Sequence, residues 1–303
     1  MKTIKKLLCV VIAAATVCAC FAGCSKAADN SGSDTTASQS DSKTDNTAGV
    51  KVIDIELSDE EYAFGVDKDQ PELMKATNDF IAEIKENGKL DEICNRYFGD
   101  GEPVAVTSAA LDSSKDQLVV ATNAEFAPFE YKDGDKFYGI DMEIASLLAE
   151  KLGKELVISD MAFESVLLSV ETKKADIGMA GLTVSEERAK QVDFSESYYS
   201  ASQKLIVKKS DTTFDECKTK EDVEKILEGF DSSVVIGGQA GTTGQSYVTG
   251  SSDMGFAGLK ATWKGYANGS LAVTDMMNGS INYVMIDAAP AAAIATQINA
   301  TVQ

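Results

Sequence analysis

The chain has no histidine among its 303 residues. Without an imidazole, Ser-His and Cys-His catalytic pairs cannot form, and zinc sites that use histidine are excluded as well. Positive charge is also scarce, because 28 Lys and Arg stand against 48 Asp and Glu, which gives a formal net charge of −20. We expect no nucleic-acid partner, since phosphate binding requires a basic surface. The acidic surface is interpreted as one that keeps an exported protein soluble.

Cysteines are few outside the amino terminus. Of the six cysteines, three lie in residues 1–23 and a fourth is Cys24, which leaves Cys94 and Cys217. Two cysteines allow one disulfide but do not establish it. No metal site and no cofactor are predicted.

Residues 1–24 read as an export signal, with a basic start, an apolar core over residues 7–21 and small residues before Cys24. The apolar core is too short for a comfortable membrane span. Its last four residues, Phe21-Ala22-Gly23-Cys24, resemble a lipobox, where bacteria attach lipid to the cysteine and cleave before it, although Leu is commoner than Phe at the first position. We therefore expect a lipoprotein that is anchored through Cys24 to the bacterial membrane and works outside the cytoplasm. Ordinary secretion is the alternative.

Residues 25–49 are rich in Ser, Thr, Asp, Lys and Asn and contain no apolar run. Such a segment predicts a disordered tether. From Gln117 onward, apolar strands alternate with helical patterns, which predicts an α/β fold with parallel sheets flanked by helices. The predicted strands are 118–121, 156–158, 177–179, 205–207, 234–236 and 283–286, and the predicted helices are 142–152, 220–227, 271–277 and 288–298.

The stretch from Ala180 to Arg188 reads as a strand, a turn and the start of a helix. Ser185 is a good N-cap, and a capping box would place Glu or Gln where Arg188 stands. A cation in the first helical turn opposes the helix dipole by roughly 0.3–1 kcal/mol. This placement indicates an anionic partner for Arg188. A solvent-facing arginine paired with Glu186 or Glu187 remains equally open.

Three motifs lie in and after this stretch: Ala180-Gly181-Leu182-Thr183 with Arg188, Asp193-Phe194-Ser195, and Tyr198-Tyr199. Together they resemble the signature of the amino-acid-binding proteins that serve ABC importers, the solute-binding proteins of family 3. The resemblance covers about residues 50–303 and implies a two-lobed periplasmic-binding-protein-like (type II) fold with a hinge. It also implies a receptor that binds a free amino acid between its lobes and delivers it to an ABC transporter permease. Further motifs agree with it: residues 122–129, 138–142, 238–244 and 285–290.

An α-amino acid presents a carboxylate, an ammonium and a side chain. Arg188 is the candidate for the carboxylate, because a guanidinium binds a carboxylate through two parallel hydrogen bonds. Asp287 is the candidate acceptor for the ammonium, since it ends a predicted strand at the edge where open α/β sheets place their ligands. Its alternative role is the N-cap of the next predicted helix.

The resemblance implies further contacts with the ligand. Backbone-recognising residues would be Ala180 and Thr183 in the first lobe and Thr242 and Thr243 in the second. Phe126 and Phe163 would flank the ligand side chain, and Gly181 and Gln239 belong to the same expected site. The amides of the glycine-rich turn 237–244 could bind an anion, although Gln245 stands where a phosphate loop needs Lys.

Asn123 stands where cation-binding members of the family usually carry an acidic residue. An amide offers a donor and an acceptor but no charge to offset the desolvation of a cationic side chain. The sequence therefore predicts a neutral polar ligand such as glutamine or cystine. Glu125 or Glu164 turned inward would reverse this prediction in favour of a basic ligand.

Residues 50–105 contain two predicted strands (50–57 and 62–68) and two predicted helices (73–84 and 87–99). In the family such a run ends the polypeptide, whereas here it precedes the segment that normally begins it, so we expect a circular permutation in which residues 100–114 join the old termini. An added domain is the alternative, but two helices and two strands could not bury a stable core alone. Lobe 1 is predicted at about 69–206, lobe 2 at about 210–303 plus 50–62, and the hinge strands at 63–68 and 204–210.

Two other functions are compatible with the same scaffold, since a fold does not fix function. One is an enzyme similar to a dehydratase of the prephenate type (cyclohexadienyl dehydratase-like), and the other is a ligand-sensing module. The carboxylates that can be placed near the cleft already have receptor roles or no assigned role. We therefore expect a binding protein rather than an enzyme, and a monomer.

Overall fold

Two five-stranded sheets carry the fold in the computed structural model, which describes residues 48–302. The predicted export signal, Cys24 and residues 25–47 of the predicted tether lie outside the described residues. The strands are β1 (Val50–Ile53), β2 (Glu60–Tyr62), β3 (Gly65–Val66), β4 (Gln117–Thr122), β5 (Glu125–Phe126), β6 (Glu130–Asp133), β7 (Lys136–Tyr138), β8 (Glu155–Asp160), β9 (Ile177–Gly178), β10 (Asp193–Phe194), β11 (Tyr199–Ala201), β12 (Gln203–Lys208), β13 (Val235–Gln239), β14 (Thr262–Tyr266) and β15 (Tyr283–Asp287).

Helices cover both sheets, and each predicted helical pattern corresponds to one of them within about three residues, whereas the helix Val166–Glu171 was not predicted. Two 3₁₀ turns, Phe163–Ser165 and Arg188–Lys190, accompany them. The helices are α1 (Pro71–Glu86), α2 (Lys89–Phe98), α3 (Ile140–Leu152), α4 (Val166–Glu171), α5 (Lys220–Glu228), α6 (Thr243–Thr249), α7 (Gly269–Met277) and α8 (Ala288–Thr301).

Each sheet defines one lobe. The first lobe has strand order β10-β3-β9-β4-β8, and the second has β1-β12-β15-β13-β14. The central pairs β4 with β8 and β9, and β13 with β14 and β15, are parallel as predicted, whereas β3, β10, β1 and β12 run antiparallel to their neighbours. The predicted two-lobed α/β architecture is thereby confirmed.

Helix α1 shows how the sequence builds the first lobe. Its buried residues are Thr77, Phe80, Ile81 and Ile84, which follow the i, i+3, i+4, i+7 spacing of one helix face. This face packs against α2 and α3. Burial of each large apolar side chain contributes roughly 1.5–3 kcal/mol. Residues 71–98 are therefore part of the first lobe rather than a detached module.

The hinge lies a few residues from where the sequence predicts it. Strand β12, expected as a hinge strand, lies inside the second sheet between β1 and β15, and β3 lies inside the first sheet between β10 and β9. The connection is instead a separate antiparallel pair, β2 with β11, in which Tyr62 faces Tyr199. The prediction was wrong here because Tyr62, Ala63 and Phe64 are all buried, so no change in hydrophobicity marks the boundary between strands.

The first described strand contacts the last helix. The backbone N–H of Val50 donates to Oδ1 of Asn299 at 2.9 Å, and Nδ2 of Asn299 donates to the carbonyl of Val50 at 2.9 Å. Residues near 50 and near 300 are therefore direct neighbours on the second lobe. Cys94 and Cys217 are free thiols. Within residues 48–302, no helix is both long and apolar enough to cross a membrane, and no cluster of Cys, Asp and Glu is arranged to hold a metal ion.

Candidate ligand-binding cleft

Arg188 lies in a 3₁₀ turn of the first lobe. Its backbone N–H donates to Oγ of Ser185 at 3.2 Å, but the N-cap position of the turn is Glu187 rather than the predicted Ser185. The α-helix expected after Ser185 does not form, because the turn ends at Lys190. Arg188 therefore does not oppose the dipole of an α-helix. Any need for an anionic partner depends instead on the contacts of its guanidinium group.

Those contacts are to carbonyls rather than to Glu186 or Glu187. Nη1 donates to the carbonyl of Thr183 at 2.8 Å, and Nη2 donates to the carbonyl of Gly241 in the second lobe at 3.0 Å. The guanidinium also lies over the ring of Phe163, 5.4 Å from its centroid. Burial lowers the pKa of Arg188. A half-buried guanidinium that donates to two neutral carbonyls would gain from a carboxylate, which forms two charge-assisted hydrogen bonds with it.

Asp287 ends β15 at the opposite side of the cleft and is 4% exposed. Its Oδ1 accepts a hydrogen bond from the hydroxyl of Tyr62 at 2.6 Å, and its side chain does not cap α8. The helix-cap alternative is therefore wrong. Burial raises the pKa of Asp287 from 3.8 to about 7, and the neighbouring Glu60 acts in the same direction. A cationic group of a ligand would favour its ionised form.

Glu60 on β2 is the centre of a buried hydrogen-bond network. Its Oε2 accepts from Oγ1 of Thr183 at 2.7 Å, and its Oε1 accepts from Oγ of Ser58 at 2.6 Å and from Nε2 of Gln203 at 3.0 Å. Oγ1 of Thr183 accepts in turn from Oγ1 of Thr243 at 3.2 Å. The network thus joins both lobes to the connection between them.

A second polar contact closes the cleft near the expected side-chain pocket. Nε2 of Gln239 donates to Oδ1 of Asn123 at 2.7 Å, while Nδ2 of Asn123 donates to the carbonyl of Met161 at 2.8 Å. Among the described residues, Oε1 of Gln239 has no hydrogen-bond partner although it is buried. The lobes are therefore closed on each other, with one buried acceptor free for a ligand donor.

The glycine-rich residues 237–244 begin inside a strand rather than in a loop. Gly237 belongs to β13, and a Cβ there would come within 2.5 Å of Cδ1 of Ile281. Oγ1 of Thr242 donates to the carbonyl of Gln239 at 2.8 Å. These glycines permit close packing, and the first helical residue of α6 is Thr243.

The turn Ala180-Gly181 forms the wall of the cleft in the first lobe. Gly181 has φ +54°, and a Cβ on it would stand 3.0 Å from the ring of Phe126. Phe126 is buried and Phe163 is half-buried. The contacts described above involve the residues singled out from the sequence, whose roles in ligand binding stay predictions: Asn123, Phe126, Phe163, Ala180, Gly181, Thr183, Arg188, Gln239, Thr242, Thr243 and Asp287.

Sequence reasoning missed four polar residues at this junction: Glu60, Tyr62, Glu130 and Asp141. Glu130 is fully buried, and among the described residues neither of its carboxyl oxygens has a hydrogen-bond partner. Burial raises its pKa well above the usual range, and Asp141 and Asp287 add to this effect. One signal was available, because strand alternation puts Glu60 on the same face as Tyr62 and Phe64.

A cavity of about 280 Å³ opens beside Asn123. Phe163 and Tyr266 give it aromatic walls, and its lining contains no Lys or Arg. We call it the carboxylate-lined cavity, because three acidic side chains border it: Glu125, Asp160 and Glu164.

Known proteins share both the sequence and the fold of this chain. The arginine-binding extracellular protein ArtP of Bacillus subtilis (strain 168) is 41% identical over 103 residues, which are 34% of this chain and 40% of that protein. The chain matches less than two thirds of the length of its first curated relatives.

Two solved structures extend the similarity. An ancestral arginine-binding protein bound to arginine is 33% identical with a TM-score of 0.52, over 62% of this chain and 76% of that one. The ancestral amino-acid-binding protein AncCDT-1, described as a precursor of cyclohexadienyl dehydratase, is 28% identical with a TM-score of 0.50, over 70% of this chain and 78% of that one.

The family profile of the bacterial extracellular solute-binding proteins, family 3, matches residues 13–100 and 118–294. These two segments make up most of the chain, and they contain both lobes and the cleft. The chain therefore belongs to the bacterial extracellular solute-binding proteins of family 3.

Proposed function

We propose that this protein is an extracytoplasmic receptor that binds a free amino acid between its lobes and delivers it to an ABC importer. One observation carries the proposal: Arg188 on the first lobe bonds the carbonyl of Gly241 on the second, and the buried carboxyl of Asp287 on the second lobe lies close enough to act on the charge of Arg188. An α-amino acid offers a carboxylate to the first and an ammonium to the second. Membership of the family and relatives named for arginine binding support the same function. The membrane partner would be the permease of the importer, and the receptor would act as a monomer.

The ligand backbone would replace contacts that the lobes now make with each other. The ligand carboxylate would replace the carbonyls of Thr183 and Gly241 as the acceptor for the guanidinium of Arg188. It could also accept a hydrogen bond from the hydroxyl of Thr243. The ligand ammonium would bind between Asp287 and the carbonyl of Ala180. Binding and closure would then be coupled, because the contacts come from both lobes.

The carboxylate-lined cavity favours a cationic side chain, arginine or lysine. The prediction of a neutral ligand depended on Asn123, whose amide oxygen and nitrogen are already bound to Gln239 and Met161. Glu125 and Glu164, both exposed, line the cavity instead, and either could pair with a cationic side chain of the ligand. A guanidinium suits such a site, since it binds carboxylates through fixed pairs of hydrogen bonds. Glutamine or cystine is the second candidate.

A thermal-shift panel of the twenty amino acids plus cystine, run on ligand-stripped protein, tests the function and the ligand together. We expect the largest stabilisation with arginine and a smaller one with citrulline, which has the same length without the charge. Glu164→Gln should reduce the arginine shift, whereas Glu171→Gln, an exposed change on α4, should not. The largest shift with glutamine or cystine would restore the neutral ligand. No shift with any amino acid would contradict the receptor function.

Catalysis on the same scaffold is the second candidate function, because the raised pKa of Asp287, about 7, suits a general acid. The similarity to an amino-acid-binding protein described as a precursor of cyclohexadienyl dehydratase also favours this second function. Mass spectrometry of each bound compound after prolonged incubation separates the two functions. A receptor returns the ligand with its mass unchanged, and loss of water or carbon dioxide would indicate an enzyme.

Circular permutation accounts for the order of the segments. Residues 50–98 supply a strand to each sheet and two helices to the first lobe, yet they precede β4. Two hydrogen bonds between Val50 and Asn299 place the end of α8 beside the start of β1. The family profile also matches in two segments that flank residues 101–117. A junction between residues 302 and 50 would therefore be short.

The lipid anchor has its own test. Labelling of growing cells with a fatty-acid probe should mark the wild-type protein, and Cys24→Ala should remove the label, since lipid attachment requires that thiol. Unlabelled wild-type protein in the medium, with a mature amino terminus at another residue, would show ordinary secretion instead.

A further inference from the structure

Asp141 is a fully buried acid outside the expected set of ligand contacts. It stands in the first turn of α3, where the helix dipole favours a carboxylate. Both of its oxygens are used. Oδ2 accepts from the backbone N–H of Gly181 at 2.9 Å, and Oδ1 accepts from the hydroxyl of Tyr198 at 2.6 Å. A buried carboxylate needs such donors, because desolvation without them is costly.

The first contact fixes the wall of the cleft. Gly181 has the left-handed φ of +54° and lies against the rings of Phe126 and Tyr62. The orientation of the peptide between Ala180 and Gly181 decides where the carbonyl of Ala180 points. Because Asp141 holds the N–H of that same peptide, it controls the direction of the carbonyl as well.

The second contact reaches the connection between the lobes. Tyr198 immediately precedes β11, and its backbone N–H donates to the carbonyl of Tyr62 at 2.9 Å. Its ring stacks on Phe64 with 4.4 Å between centroids. Asp141 therefore bonds both to the ligand wall and to the residue that begins one of the two crossings.

We infer that Asp141 is a positioning residue, which aims the carbonyl of Ala180 at the ligand ammonium and ties that turn to the β2/β11 connection. This inference rests on the proposed function and explains how the Ala180-Gly181 turn of the proposed site is held in place. Burial raises the pKa of Asp141 to about 7, and the hydrogen bonds from Tyr198 and Gly181 oppose that shift. These two bonds thus favour the ionised form that can accept from both donors.

Calorimetry with two ligands tests the inference, using L-arginine and 5-guanidinopentanoate, which is arginine without its α-amino group. Asp141→Ala should weaken arginine binding by about 10- to 100-fold. The same variant should change the affinity for 5-guanidinopentanoate by less than about threefold, since that ligand has no ammonium to misplace. Asp141→Asn should restore part of the loss, because its amide can still accept from Gly181. Equal losses for both ligands would overturn the inference and indicate a merely structural role.

Glu143 offers a matched control on the same helix. It is also buried and accepts from a tyrosine hydroxyl, that of Tyr97 at 2.7 Å, but away from the cleft. Glu143→Gln should leave the ratio of the two affinities unchanged. If the wild-type protein does not bind arginine, the proposed ligand is wrong. The positioning role of Asp141 is then tested by hydrogen exchange, which requires no ligand.

Amide hydrogen exchange of the ligand-free protein gives that measurement. In Asp141→Ala, the amide exchange rates of residues 179–184 should increase, because the N–H of Gly181 loses its acceptor. This increase should be larger than any increase in α1. Glu143→Gln should leave residues 179–184 as protected as in the wild type. If exchange in 179–184 rises no more than elsewhere, the inference is wrong.

Discussion

At the residue scale, the proposed function divides the recognition of the ligand backbone between Arg188 on one lobe and Asp287 on the other. Arg188→Ala should weaken ligand binding by about 30- to several-thousand-fold, since removal of one partner of a desolvated charge pair costs roughly 2–5 kcal/mol. Titration calorimetry measures the loss, and circular dichroism checks the fold. Lys190→Ala, an exposed cation in the same turn, is the control and should bind as the wild type does. Wild-type affinity in Arg188→Ala would show that the carboxylate binds elsewhere.

Asp287 should be unfavourable for stability while it is needed for binding. Its pKa rises from 3.8 unfolded to about 7 folded through burial and Glu60, so the folded state retains a proton that the unfolded state loses over this range. The contribution of Asp287 to the free energy of unfolding should therefore fall as pH rises from about 4 to about 7 and then level off. Asp287→Asn removes the cost of ionising this buried carboxyl, so the variant should unfold at a higher temperature than the wild type at pH 8. The difference in unfolding temperature should shrink toward pH 4. The variant should not bind ligand.

Glu130→Gln serves as the companion variant. Because burial also raises the pKa of Glu130, this change should stabilise the protein with the same pH trend while ligand binding persists. Thermal unfolding from pH 4 to pH 8 measures both variants. A stability gain that grows toward low pH would contradict the assigned protonation of these carboxyls.

Particular residues show how far the sequence predicts the site. Arg188 and Asp287 could be named because an amino-acid ligand demands one charge of each sign and because both residues lie in motifs that resemble those of the family. Glu60 and Asp141 could not, because a buried carboxylate is identified by its partners, and these lie more than a hundred and about forty residues away along the chain. Contacts between residues so far apart along the chain cannot be predicted from local sequence patterns.

At the element scale, closure of the cleft depends on the loop before α6. Gly241 has φ +76°, and a Cβ on it would meet Cγ of Glu164 in the first lobe at 2.7 Å. Gly241→Ala should therefore hold the lobes apart and weaken ligand binding. Small-angle scattering with saturating ligand should give a larger radius of gyration than the wild type shows.

Gly255 separates this contact from backbone strain. It has a similar φ of +73°, but a Cβ added there would have no neighbouring atom within 4 Å. Gly255→Ala should therefore lose some stability and keep normal closure. If both variants close equally well, the contact between Gly241 and Glu164 does not limit closure.

Elements with a clear period were predictable, and the crossings were not. The spacing of Phe80, Ile81 and Ile84 places α1 correctly, since a helix with one buried face shows its period in the sequence. Strand β2 is mostly buried, as is the short β3, so burial alone does not separate this crossing strand from a sheet strand. The 3₁₀ turn after Ser185 was mistaken for a helix because a cap motif does not fix the length of the helical segment that it begins.

At the scale of the whole molecule, the permuted order should be interchangeable with the usual one. A chain that runs from residue 106 to 302, then through a short Gly-Ser linker into residues 50–100, keeps every strand neighbour. It should unfold cooperatively and bind the ligand within about threefold of the original, because the linker changes only a small loop-closure entropy. A chain of residues 106–302 alone should not fold stably, since β3 and β1 would be missing from the two sheets. A stably folded 106–302 would show that residues 50–105 are an added module.

The central claim is a receptor whose two lobes close on a cationic amino acid. Titration calorimetry of the ligand-stripped protein with L-arginine, compared with citrulline, tests it most directly. The account predicts saturable one-to-one binding of arginine that is at least about tenfold tighter than that of citrulline, a difference of about 1.4 kcal/mol for the charge. Tighter binding of citrulline, or no heat of binding with either amino acid, would contradict it.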